Sequence, residues 1–245
     1  MNHYIGCSGF SNKDWKGFFY PDNLSSKDYL TFYSENFNAV EINSTFYRKP
    51  TSKTLLNWYE QTPADFLFFI KIPQTITHIN QLKNVRQEVN EFCKHMSTNL
   101  KEKLGGFLFQ FPPSFVCDKE NMSNVLNGLN PRFLNVVEFR HKSWWNEGIY
   151  EFLKEQGIIF CGVSIPKDVP DDVIINHPDT LYYRLHGTPI LFKSEYSEEE
   201  LQILAEKIIA SNKNAFVFFN NTWGTAAIKN ALYLQKLLRS NHYFS

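Results

Sequence analysis

Charge of either sign is missing in excess: 25 Lys and Arg stand against 25 Asp and Glu in 245 residues, for a formal net charge of +0. With no whole-molecule field, a broadly basic polyanion binder is disfavoured. No uninterrupted apolar run approaches the ~20 residues of a membrane helix, and Met1 to Ile5 shows no basic segment leading into an apolar stretch. Neither a membrane span nor a secretory signal is expected. The four cysteines, Cys7, Cys93, Cys117 and Cys161, are far apart and form no C-x-x-C pair, which speaks against a zinc ribbon and a disulfide framework. A cytoplasmic protein with free thiols is the expectation.

What the chain does have is core material: 43% of its residues are hydrophobic and 16% aromatic, enough for a packed interior and too much for long disorder. Eight short, β-rich apolar runs recur along it: Tyr4 to Ser8, Ala39 to Phe46, Phe66 to Ile72, Gly106 to Phe111, Asn135 to Arg140, Ile158 to Ile165, Leu181 to His186 and Ala215 to Asn220. Between them lie amphipathic segments with helix-end signals, starting near Ser26, Ser52, Gln81, Asp118, Asn146 and Thr225. Ser197 with Glu200 forms a capping-box pattern, and Gly157 reads as a helix stop. Pro166 to Pro178, rich in Pro and Asp, predicts an irregular connection between strands 6 and 7 with at most a short helix. Alternating strands and helices argue for a parallel sheet. Eight such units in this length predict an α/β fold, a single (β/α)8 TIM barrel spanning residues 1–245.

In such a barrel, active groups sit at the C-terminal ends of the strands, on the inward face. The late residues fit: Glu41 and Asn43 alternate with Val40 and Ile42, Glu138 and Arg140 with Val137 and Phe139, and Arg184 and His186 with Leu185. Lys71, Gln110, Ser164, Asn220 and Asn221 supply the remaining ends, and His141 follows Arg140. Two readings compete. Buried ions must be neutralised somehow, so a structural network accounts for any single pair such as Glu138 with Arg184. Convergence from at least six strands favours a site, because Val, Ile and Leu fill a barrel at less cost in desolvation.

Lys71, Arg140 and Arg184 against Glu41 and Glu138 make the mouth positive inside a neutral chain. Gly187 and Gly224 follow strands 7 and 8, where backbone N–H groups suit a phosphate or carboxylate and where a tight turn equally demands glycine. Glu41, Glu138, His141 and His186 are residue types that zinc or manganese accepts, but there is no H-x-H, no H-E-x-x-H and no Asp cluster at the strand ends, and Arg and Lys repel a cation. No metal ligand and no cofactor are assigned. His78, in the third loop, fits the rim or a helix cap, and Cys7 fits a small buried residue better than a nucleophile. Aromatics crowd the same loops, among them Trp15, Tyr20, Tyr47, Trp144 and Trp223; most suit loop packing, and a minority suit stacking on a sugar or base.

Several stretches carry a resemblance. IGCSGF and WKGFFYP within Ile5–Pro21, VEINSTFYRKP at Val40–Pro50, FIKIPQTITH at Phe69–His78, LGGFLFQFPPSF at Leu104–Phe115, EFRHKSWW at Glu138–Trp145, YYRLHG at Tyr182–Gly187 and FFNNTWGTAAIKNA at Phe218–Ala231 together resemble the YecE-like family. That family carries a numbered domain-of-unknown-function label and is known for TIM-barrel proteins, so the resemblance implies the barrel and brings no established reaction. Where the family reads G-T-S-G-W-S-Y, this chain has Cys7, Phe10 and Asn12 in place of the Thr, Trp and Tyr.

The function expected is an enzyme of isomerase, lyase or hydrolase type acting on a small anionic or sugar-like ligand. Its catalytic groups are Glu41, Glu138 and His186, and its substrate-binding groups are Asn43, Lys71, Gln110, Arg140, His141, Arg184, Asn220 and Asn221. The alternatives are a nucleic-acid-binding or endonuclease-like repair protein, less favoured by the balanced charge, and a barrel that binds a metabolite without turnover. No membrane partner is expected.

Overall fold

Alternation of apolar and polar residues, or unbroken apolar character, is realised as eight strands: β1 His3–Cys7, β2 Ala39–Ile42, β3 Leu67–Lys71, β4 Leu104–Gln110, β5 Asn135–Glu138, β6 Ile158–Ser164, β7 Thr180–Leu185 and β8 Asn214–Phe219. Every expected run overlaps one, with β1, β4, β7 and β8 starting one or two residues earlier than expected. The computed structural model describes residues 1–166 and 169–240. All neighbouring strands are parallel, in the order β1-β8-β7-β6-β5-β4-β3-β2. The architecture is a (β/α)8 barrel, open only by a missing ladder between β1 and β2.

Side chains join that seam. Oδ1 of Asn38 accepts from the Ile5 N–H at 3.1 Å while its Nδ2 donates to the His3 carbonyl at 2.8 Å. The Tyr33 hydroxyl accepts from the Cys7 N–H at 2.7 Å and donates to the Ala39 carbonyl at 3.3 Å. Backbone groups that a ladder would pair are thereby satisfied. The close approach requires glycine at position 6: a Cβ there would lie 2.1 Å from the Ala39 carbonyl oxygen and 2.8 Å from the Tyr33 hydroxyl.

The helices are α1 Tyr29–Asn36, α2 Ser52–Glu60, α3 Arg86–Leu100, α4 Lys119–Gly128, α5 Glu147–Glu155, α6 Glu198–Ser211 and α7 Ala226–Ser240. Their starts follow the sequence where a side chain caps them. Asp118 accepts from the Asn121 N–H at 2.8 Å, Asn146 from Ile149 at 3.2 Å, and Ser197 with Glu200 completes the capping box. Gly157, at φ +66°, ends the turn after α5 as expected.

Two starts are displaced. Ser26 opens a single 3-10 turn that feeds α1, and α3 begins at Arg86 because Gln81, Leu82 and Asn84 have φ of 48°, 61° and 56°, which no right-handed helix accommodates. Among the described residues no helix joins β6 to β7, so seven helices accompany eight strands. In that connection Asn176 satisfies the backbone of β6 ahead of its ladder with β7: its Oδ1 accepts from the Phe160 N–H and its Nδ2 donates to the Ile158 carbonyl, both at 2.9 Å.

The core has two shells. Val40, Ile42, Val137, Phe139 and Leu185 pack outward against the helices, as the alternation requires. Inside the barrel, Phe69, Leu108, Val136, Ile159, Cys161, Tyr182, Phe216 and Phe218 form a separate cluster. Phe69 meets Phe216, Tyr182 and Phe218 at ring-centroid distances of 4.6, 5.1 and 5.6 Å. These rings plug the barrel from below and leave its C-terminal end for polar groups. Among the described residues no helix is long and apolar enough to cross a membrane.

Candidate functional site

On this aromatic floor stands a string of alternating charges. Arg184, 1% exposed, donates from one Nη to Glu41 at 2.6 Å and from the other to Glu138 at 2.5 Å, both carboxylates being fully buried. Glu138 also accepts from Nε of Arg140, whose side chain is 14% exposed and is the most open member of the string. Glu41 is held further by the Ser8 hydroxyl at 2.7 Å and the Tyr182 hydroxyl at 2.8 Å. Glu41, Arg184, Glu138 and Arg140 thus neutralise one another from the floor to the mouth.

His186, fully buried, bridges this string to the amides. Its Nε2 faces guanidinium groups of Arg140 at 3.1 Å and Arg184 at 3.4 Å. Its Nδ1 lies 2.8 Å from Nδ2 of the Asn220 amide, so N–H donors face both ring nitrogens. Asn43 in turn reaches Asn220 at 3.5 Å.

On the opposite wall Lys71 donates to Oε1 of Gln110 at 2.9 Å and lies 4.1 Å from the centroid of the Phe46 ring. Gln110 also donates to the Phe111 carbonyl at 2.9 Å and stands 3.5 Å from Nε2 of His78. Lys71 belongs to no ion pair among the described residues.

Burial and these neighbours set the proton affinities. Burial alone raises the Glu138 pKa, but Arg140, Arg184 and His186 overcome it and hold the carboxyl well below its ordinary range. Burial, then Arg140, lowers His186 to about 3. Burial, then Lys71, lowers His78 to about 4. Both rings are neutral at pH 7. Burial, then Arg184, lowers Lys71 to about 8, the value nearest neutrality in the mouth. These values bear on the expected roles: a carboxylate gripped by two guanidinium groups is a weak base, and a neutral His186 is a weak proton donor.

Nine of the eleven expected site residues converge: Glu41, Asn43, Lys71, Gln110, Glu138, Arg140, Arg184, His186 and Asn220. The other two are engaged elsewhere. His141 caps the 3-10 turn Lys142–Trp144, its Nδ1 accepting from the Ser143 N–H at 3.2 Å and lying 2.7 Å from the Ser143 hydroxyl. Asn221 is fully buried beyond the end of β8, donating to the Ser194 carbonyl at 2.9 Å and to Asn230 of α7 at 3.0 Å.

Ser164 also leaves the set. Its hydroxyl donates to Asp171 at 2.7 Å, and the same carboxylate accepts from the Tyr183 hydroxyl at 2.9 Å. Cys161 and Val163 are the inward residues of β6. The turn glycines hold no open anion cradle, since the Gly187 N–H donates to the Tyr196 hydroxyl at 2.9 Å and the Gly224 N–H to Asp14 at 3.2 Å. Positive φ, +87° and +63°, is what both positions require. Cys7 packs in the outer core, where burial pushes its thiol pKa up.

Four contributors escaped the expected set. Ser8, Tyr182 and Phe46 touch its charged groups, and His78 lies on a π turn, Thr75–Ile79, after β3. Ser8 and Tyr182 share inward parity with Gly6 and Arg184, a signal present in the sequence. Of the aromatics, Trp15, Tyr20 and Trp144 are buried packing residues, while Tyr47 and Trp223 are 77% and 67% exposed. Among the described residues, no three His, Cys, Asp or Glu side chains are grouped as a metal ion requires.

The chain is similar to known proteins. It is 26% identical to the UPF0759 protein YunF of Bacillus subtilis, over 96% of this chain and 94% of that one. It is 32% identical to the UPF0759 protein YecE of Escherichia coli, over 66% and 57%. A crystal structure of a DUF72 family protein from Thermotoga maritima superposes with a TM-score of 0.88 at 33% identity, covering 98% of this chain and 100% of the other. One from Enterococcus faecalis gives a TM-score of 0.80 at 24% identity, covering 97% and 98%. The family described as "Protein of unknown function DUF72" matches residues 4–243, and the chain belongs to that family.

Proposed function

We propose that the barrel mouth is the active site of an enzyme for a small anionic or sugar-like substrate. One observation carries the reading: after Glu41, Arg184, Glu138 and Arg140 have neutralised one another, Lys71 remains without a carboxylate. An uncompensated cation in a half-buried mouth costs desolvation energy that a substrate anion offsets. Lys71 and the open edge of Arg140 hold the anion, Asn43, Gln110 and Asn220 orient hydroxyl groups, and Glu41 and Glu138 fix the guanidinium groups. Proton transfer falls to Lys71, whose pKa of about 8 lies closest to working pH.

Thermal-shift and calorimetric titration with inorganic phosphate, 2-oxo acids and sugar phosphates tests this. At least one of these anions is expected to bind, and Lys71→Met and Arg140→Ala are each expected to weaken it roughly tenfold or more. Equal affinity in both variants and the parent contradicts the assignment. Short single-stranded oligonucleotides are expected to show little salt dependence at the mouth, because Arg140 and Arg184 there are already paired with carboxylates; a steep dependence supports the nucleic-acid alternative instead.

A further inference from the structure

The unpaired lysine has a second use besides holding charge. Lys71 projects from the end of β3 between the Phe46 ring, 4.1 Å away, and Oε1 of Gln110, at 2.9 Å. The apolar wall removes water, while the amide accepts a hydrogen bond from an amine and an ammonium alike. The charged groups around it come from three other strand ends: Arg184 on β7 and Arg140 after β5 disfavour its ammonium form, and Glu138 on β5 and Glu41 on β2 favour it. Both carboxylates are already engaged by guanidinium groups. The nearby His78 is neutral. A desolvated lysine beside other cations is the setting that leaves an amine nucleophilic near neutral pH.

From this arrangement, and resting on the active-site reading above, we propose that Lys71 is a covalent nucleophile that forms a Schiff base with a small anionic carbonyl compound, a 2-oxo acid or a keto phosphate. The lone pair of the neutral Nζ attacks the carbonyl carbon, making a C–N bond while the C=O π electrons move to oxygen. Nζ loses a proton and the oxygen gains one, giving a carbinolamine. The C–O bond then breaks as nitrogen forms C=N, and the hydroxide leaves with a further proton as water. One amine, one carbonyl and one proton thus yield one protonated imine and one water, with no oxidant or reductant. Arg140 holds the anionic group, and the iminium charge replaces that of the lysine.

The test uses the full chain with pyruvate and with dihydroxyacetone phosphate, each with sodium cyanoborohydride, followed by intact-mass measurement and peptide mapping. One reduced adduct mapping to Lys71 is expected with at least one probe, in strong preference to the surface lysines. Lys71→Arg keeps the positive charge and is expected to lose the adduct. In parallel, the rate of Lys71 acetylation by acetic anhydride, read by mass spectrometry across pH, is expected to reach half its maximum near 8. A half-maximum above pH 10, or no Lys71 adduct with either probe while phosphate binding persists, overturns the nucleophile and leaves the anion site standing. Loss of all anion binding to the parent protein overturns both.

Discussion

Arg184 and Glu138 lie 2.5 Å apart with 1% and 0% of their side chains exposed, and the second Nη of the same guanidinium holds Glu41. One buried cation therefore bridges two buried carboxylates. Arg184→Met is expected to destabilise the fold by about 3–5 kcal/mol, because Glu41 loses its counter-charge and Glu138 keeps only Arg140. Urea unfolding measures this, and adding Glu41→Gln to Arg184→Met is expected to recover part of the loss. A loss below about 1 kcal/mol in the single variant contradicts the pairing.

Acid weakens the protein through two groups acting in the same direction. The unfolded chain protonates His186 at about 6.5, whereas the folded chain resists until about 3, so stability falls as pH drops between these values. Glu138, held below its ordinary 4.5 in the folded state, loses its stabilising contribution as pH falls from there through its folded pKa. Lys71 acts at the other end: an unfolded value of 10.5 against about 8 when folded gives a contribution that grows from pH 8 to 10.5. It is opposed above 9.0 by the buried Cys7, Cys93 and Cys161 thiols, whose pKa values burial raises in the folded chain. The stability difference between the parent and Lys71→Met is therefore expected to shift in the parent's favour from pH 8 to 10.5, and His186→Asn is expected to lose the acid slope between 6.5 and 4.5.

The β1–β2 seam makes a different demand. Gly6→Ala places a methyl group 2.1 Å from the Ala39 carbonyl oxygen and is expected to cost about 3 kcal/mol. Tyr33→Phe leaves the buried Cys7 N–H without its 2.7 Å acceptor and is expected to cost about 1–3 kcal/mol. Hydrogen exchange of the Cys7 amide should accelerate in Tyr33→Phe. Unchanged protection contradicts the view that side chains close the barrel.

His141→Ala separates packing from function. It removes a turn cap and is expected to cost about 1 kcal/mol with no change in anion affinity. A tenfold affinity loss in that variant places His141 back among the ligand-binding residues.

What the sequence made legible follows from its alternation. In β2, β5 and β7 a polar residue stands between apolar ones, so the period of two identifies Glu41, Glu138 and Arg184 as inward. In β6 every residue is buried, and an apolar strand carries no face information, so nothing in its sequence tells that Ser164 faces away from the barrel interior. Asn221 and His141 stand one residue beyond the inward Asn220 and Arg140, and the structure gives them the outward parity of that position. His78 sits on a π turn with no periodic signature. The neutralisation of four charges in one string is a matter of distance, and no spacing in the chain encodes it.

The most direct test is a crystal of the protein soaked in a tetrahedral oxyanion such as sulfate or phosphate. Density is expected within hydrogen-bond distance of Nζ of Lys71 and the guanidinium of Arg140, above a Glu41–Arg184–Glu138 string that has not moved. An anion bound only at the Gly187 or Gly224 turns, or a mouth that stays free of anion at saturating concentration, contradicts an anion site built on Lys71.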